Sequence, residues 1–270
     1  MTKPVAMAIV AHPDDVEFMM AGTMGLLGQA GYELHVMNIA NGSGGSLVED
    51  AATISARRFR EAQRSAEIMG ATLHPPIAND MEVFYNDALL RKVTAVIREV
   101  RPTIILTQPP RDYMEDHMNS CRLAVSAAFA RGIPNYVSDP PVPAIPGEVT
   151  IYHALPWGLR YPLGECPWVT HYVDVHKMLD FKRETLAAHE SQRAWLDETQ
   201  GMGSYIDKMV EVTRQMGIMS GRFEYAEGFT RHMYMGYCDP SADPLRDALG
   251  LERVHLIHHE PRIPVFPPPL

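Results

Sequence analysis

Apolar residues along the chain come in two textures. Continuous, partly β-branched runs cover Val5 to Ala11, Leu34 to Ala40 and Thr103 to Thr107 without polar alternation, the pattern of strands covered on both faces in a parallel sheet. Between them apolar residues recur at helical spacing. This predicts helices over Ala21 to Ala30, Ala51 to Met69 and Ala88 to Val100; Gly31 and Gly70 follow the first two, where a helix end favours a residue tolerant of positive φ. Beyond Gln108 a helix is expected from about His117 to Ala130, then a proline-rich loop or subunit contact from Pro134 to Pro146. Shorter strands over Val149 to Ala154 and Val169 to Val175 follow, with helices over about His176 to Glu190 and Ser204 to Met219. Alternation of this kind predicts an α/β fold, a Rossmann-like three-layer αβα sandwich with a mostly parallel sheet. Residues 1–260 read as one domain, and 261–270, ending in three prolines, as an extended tail over a surface.

Composition narrows the classes of partner. With 24 Lys and Arg against 33 Asp and Glu, the formal charge is −9, and no basic face suited to phosphate neutralisation emerges, so no nucleic acid is expected. The apolar run at the N-terminus is too short for a signal peptide, and nothing approaches the roughly 20 apolar residues of a membrane helix. Cys121, Cys166 and Cys238 form no C-x-x-C pair, which suits reduced thiols in a cytoplasmic protein. A homo-oligomer acting on a small molecule is expected.

Open α/β sheets place ligands at the carboxyl ends of their strands. After the first strand comes Ala11-His12-Pro13-Asp14-Asp15, and after the Thr103 to Thr107 strand comes Asp112-Tyr113-Met114-Glu115-Asp116-His117. Each cluster alone suits a turn or helix cap. Together they offer one His and one carboxylate from the first loop and one His from the second. That is a His₂-carboxylate metal site with open positions and a carboxylate to spare for proton transfer.

Ala11-His12-Pro13-Asp14-Asp15, followed by Gly22-Thr23, resembles the opening motif of the PIG-L/LmbE family of zinc-dependent N-acetylglucosaminide deacetylases. The resemblance extends over most of the chain, through Asn41-Gly42, Arg58 and Glu61 with Gly70, Arg101-Pro102, Asp116-His117, His189-Glu190-Ser191-Gln192, and Glu227. It implies that His12, Asp15 and His117 ligate Zn²⁺, with Fe²⁺ as the alternative metal. Asp14 is then the general base and Asp116 a carboxylate orienting a metal-bound imidazole, while Arg58, Asp80, Asn41 and Tyr113 face an N-acetylated sugar or conjugate.

Met114 departs from the family pattern, which has there a His that helps stabilise the oxyanion; a thioether cannot donate a hydrogen bond. His189 is the first candidate substitute, followed by Tyr113 and His153. Besides N-deacetylation of an N-acetylglucosamine-like substrate, the sequence admits an amidase acting on a non-sugar or thiol-conjugate amide, or a non-catalytic sugar-binding relative. His255, His258 and His259 lack a strand end or carboxylate partner for a second metal, and Gly42 to Gly45 lacks the spacing of a nucleotide-binding loop.

Overall fold

The structure is a computed structural model and describes residues 3–192 and 205–257. One eight-stranded sheet runs through it in the order β3-β2-β1-β4-β5-β7-β6-β8. β1 (Val5–Val10), β2 (Glu33–Asn38), β3 (Ala71–His74), β4 (Ile104–Thr107) and β5 (Thr150–Ala154) are mutually parallel, with Ala6 opposite both Leu34 and Ile104. β6 (His171–Asp174), β7 (Ala226–Arg231) and β8 (Val254–Leu256) pair antiparallel. The mostly parallel sandwich read from the sequence is therefore present, extended by an antiparallel flank. β3, β7 and β8 carry no strong apolar run. β7 reads Ala-Glu-Gly-Phe-Thr-Arg, and its Glu227 is fully buried.

The helices form the outer layers. α1 (Asp15–Met19), α2 (Ala21–Gln29), α6 (Leu179–Ala187) and α7 (Tyr205–Ser220) pack on one face, and α4 (Asp87–Val100) and α5 (Glu115–Ala130) on the other. The period-two alternation of a strand divides β1 between the two cores: Ala6, Ala8 and Val10 meet Met24, Leu27, Met209 and Met216, whereas Met7 and Ile9 meet Val93, Ile97, Leu123 and Ala127. α3 (Ala51–Met69) spans the predicted residues, with Asp50 accepting from Thr53 N at its start and Gly70 at φ 66° closing its end. α8 (Pro244–Leu249) follows the antiparallel flank in the chain.

Two boundaries differ in ways that matter for the site. α5 begins at Glu115 rather than near His117, which places His117 in the helix's first turn. The stretch predicted as one helix from His176 to Glu190 is a 3₁₀ turn (His176–Met178) followed by α6, so His189 lies beyond the end of α6. The predicted Ser204 start, His258, His259 and the tail 261–270 lie outside the described residues. Among the described residues no helix is long and apolar enough to cross a membrane.

Candidate metal centre and active site

β1 and β4 end side by side, and the loops leaving them bring His12, Asp15 and His117 together. One ligand atom from each lies within 4.8 Å of the others. The two rings present different nitrogens. His12 Nε2 lies 3.1 Å from Asp116 Oδ2, turning Nδ1 toward Asp15, while His117 Nδ1 lies 3.3 Å from Asp112 Oδ1, turning Nε2 toward Asp15 Oδ1 at 3.4 Å. Asp15 Oδ2 is taken by the His12 amide at 2.7 Å and Gln108 Nε2 at 2.9 Å and lies 3.6 Å from His12 Nδ1, while Oδ1 faces His117. An imidazole held on its far side by a carboxylate and a ligand carboxylate held by amides are what a divalent metal requires around it, and the residues fit such an ion.

The charges agree. Burial lowers the pKa of His12, but the Asp116 and Asp15 carboxylates outweigh it and raise it to about 10. Burial likewise works against a charged His117, and Asp15 and Asp112 still raise it. Asp15 is held well below the usual carboxylate range by the two imidazoles despite its burial. A bound cation would take the place of these protons.

Asp14 stands apart from the triad. It precedes α1 with φ 104°, a left-handed conformation uncommon outside glycine. Its Oδ2 accepts from the Tyr205 hydroxyl at 2.7 Å and its Oδ1 lies 3.6 Å from Arg58 Nη2. Burial raises its pKa to about 6, with Arg58 opposing the rise. A carboxyl of this kind exchanges protons near neutrality.

Arg58, Asp80 and Tyr113 line the same cavity, of about 330 Å³. Arg58 donates to Pro13 O at 2.6 Å, and the glycine loop folds onto it: a Cβ at Gly42, where φ is 78°, would stand 2.5 Å from Arg58 Cδ. Asp80 accepts from the Gly42 and Gly44 amides at 2.7 and 2.9 Å. Tyr113 is half exposed, its ring edge-on to His117.

Asp116 orients an imidazole as expected, that of His12, while Asp112 holds His117. Two expected roles need correction. Asn41 does not line the cavity; it bonds to Asn79 and to Ser43 N and shapes the loop. His189 is fully buried behind Asp14, 3.1 Å from Glu17 and outside the cavity lining, so it cannot reach an oxyanion. His153 is also removed, sitting 2.9 Å from both Gln108 O and His232 Nδ1. Of the three substitutes for Met114, only Tyr113 faces the cavity. Sequence reasoning missed Tyr205, Gln108, Phe18 and Trp157. None belongs to a local motif; each is recognisable only through what it touches.

Fold and site together define an α/β protein with a candidate His–Asp–His metal site at the carboxyl ends of its parallel strands. Residues 7–129 match the PIG-L family, described as GlcNAc-PI de-N-acetylase. Diacetylchitobiose deacetylase of Thermococcus kodakarensis is 26% identical over 193 residues, 69% of either chain. 4-Oxalmesaconate hydratase of Pseudomonas putida is 26% identical over 234 residues, 83% of this chain and 87% of its own. The N,N′-diacetylchitobiose deacetylase of Pyrococcus horikoshii superposes with a TM-score of 0.70 at 21% identity, over 89% of this chain and 88% of its own, which shows the shared fold.

Proposed function

We propose that the protein is a metal-dependent hydrolase that removes the acetyl group from an N-acetylglucosamine-like substrate, with residues 1–260 as one catalytic domain. The observation that supports this most is the convergence of His12, Asp15 and His117, with His12 Nδ1 and His117 Nε2 both turned to the Asp15 carboxylate and Asp14 adjacent yet outside the ligand set. Those three residues would hold zinc, or ferrous iron in its place, and the bound ion would acidify a water and polarise the acetamide carbonyl. Tyr205 holds Asp14 Oδ2, and Oδ1, with Arg58 Nη2 3.6 Å away, would take the proton from the attacking water and pass it to the departing amine. Burial and the Asp15 charge raise the pKa of Tyr113, so its hydroxyl stays protonated to donate to the developing oxyanion. Arg58 and Asp80 face the sugar hydroxyls. Three free cysteines accord with a cytoplasmic location.

A second reading, hydration of an unsaturated acid, is favoured by the larger share of chain shared with the hydratase. The cavity weighs against it. Among the described lining residues the only guanidinium or ammonium group is Arg58, already engaged by Pro13 O, Asp14 and Asp80, which leaves no free arginine or lysine to pair with the further carboxylates of a polyanionic substrate away from the metal.

Metal analysis and product detection decide between them. The purified protein should carry one zinc or iron per chain, lose it in His117→Ala, and release acetate from N-acetylated amino sugars. Hydration of an unsaturated carboxylate with no acetate from any N-acetyl sugar would overturn the deacetylase reading.

A further inference from the structure

Polar and apolar residues face each other across the metal centre. Toward β2 and β3 the cavity wall consists of Gly44, Gly45, Arg58, Asp80 and Gln192, the last with a buried side-chain oxygen that has no hydrogen-bond partner among the described residues. Toward β5 it consists of Phe18, Met19, Ala154, Leu155 and Trp157. The sheet order produces this opposition, because β1 and β4, which deliver the metal ligands, lie between β2 and β5. A substrate seated at the metal therefore meets hydrogen-bonding groups on one side and hydrocarbon on the other.

The apolar wall is a packed surface. Phe18 stands edge-on to Trp157 with ring centroids 5.2 Å apart and lies 5.5 Å from the Tyr205 ring. Leu155 is seated against Gly228 of β7, where an added Cβ would come within 2.9 Å of Leu155 Cδ1, so the absence of a side chain there keeps Leu155 back from the cavity. Phe18 is anchored from behind, since its carbonyl accepts from the buried Lys182 ammonium at 3.2 Å. An acetyl methyl does not need such a wall. A methyl is about the size of one water, roughly 30 Å³, in a cavity of about 330 Å³.

We propose that the true substrate carries an alkyl or aromatic group on the side of the scissile amide facing Phe18, Leu155 and Trp157, while its hydroxylated part faces Arg58 and Asp80. The inference rests on the amide-hydrolysis reading and names its substrate class. The apolar group can be attached in two ways, as an N-acyl chain longer than acetyl or as the aglycone of an N-acetylated amino sugar. Both place hydrocarbon against the same wall, and each buried methylene should be worth roughly fourfold in affinity.

Two substrate series on the zinc-loaded full chain separate these sources: glucosamine N-acylated from acetyl to hexanoyl, and N-acetylglucosamine as the free sugar, the phenyl glycoside and the hexyl glycoside. kcat/KM should rise at least about tenfold along one series, and that series identifies the point of attachment. In Trp157→Ala the ratio of the best compound to its parent should collapse toward one. Binding of the same compounds, measured by calorimetry, supplies a readout independent of turnover. If no amide is hydrolysed but the phenyl, hexyl or hexanoyl compounds bind at least about tenfold tighter than their parents, the apolar wall is upheld and the hydrolase reading fails. If N-acetyl sugars are hydrolysed while neither series gains in turnover or binding, the apolar-group proposal is overturned and the hydrolase reading stands. Neither hydrolysis nor a binding gain overturns both.

Discussion

Asp14→Asn is expected to keep its metal and lose about 10²–10⁴-fold in kcat, the range for removing a general acid–base. The carboxylate is not one of the three convergent ligands, so elemental analysis should show occupancy equal to the parent protein. An asparagine can still accept from the Tyr205 hydroxyl that now bonds Asp14 Oδ2, and the fold around it has no reason to change. What it cannot do is receive a proton from water and deliver it to an amine. Metal loss in this variant would exchange the roles of Asp14 and Asp15, and near-parental kcat with full occupancy would remove Asp14 from the chemistry.

Lys182→Met is expected to cost about 3–5 kcal/mol of folding stability, the range for stranding one partner of a buried ion pair. Lys182 and Glu227 are both fully buried and in contact. Lys182 also donates to Glu17 O and Phe18 O, and Glu227 accepts from Gly22 N and Thr23 N at the start of α2. Without the ammonium, a carboxylate is left in the interior with two amides for company. Urea denaturation measures the loss, and the Lys182→Met, Glu227→Gln double variant should lose less than the sum of the singles, because the stranded charge is gone. A loss under about 1 kcal/mol in Lys182→Met would show that the pair does not hold α1, α2 and β7 together.

β1, β2 and β4 were legible in the sequence because they are buried on nearly every residue and read as unbroken apolar runs, and β5 and β6 fall within the two shorter strands expected. The edge strand β3, only partly buried, was not, nor was β7, which turns a glutamate into the core and balances it with a lysine from α6, an arrangement that mimics a solvated segment. The metal-ligand candidates were legible because they follow two strands that prove adjacent. Direction was the hidden quantity. His189 sits in a recognisable motif yet faces Glu17, while Tyr205, 191 residues from Asp14 along the chain, supplies the hydrogen bond to that carboxylate. Asp116 and Asp112 show the same limit in reverse, each holding an imidazole that sequence proximity alone does not assign.

The backbone at Asp14 adopts a conformation that glycine would occupy without strain. Holding an aspartate there costs of order 1–3 kcal/mol, met by the surrounding contacts with Tyr205 and Arg58. Glycine would release that strain but leave the buried Tyr205 hydroxyl and Arg58 guanidinium without their carboxylate, a cost of similar size, so Asp14→Gly should melt close to the parent. The strained backbone and the base it presents are therefore kept by the same contacts, and a chain that shed the aspartate would gain little hardiness in exchange for its turnover.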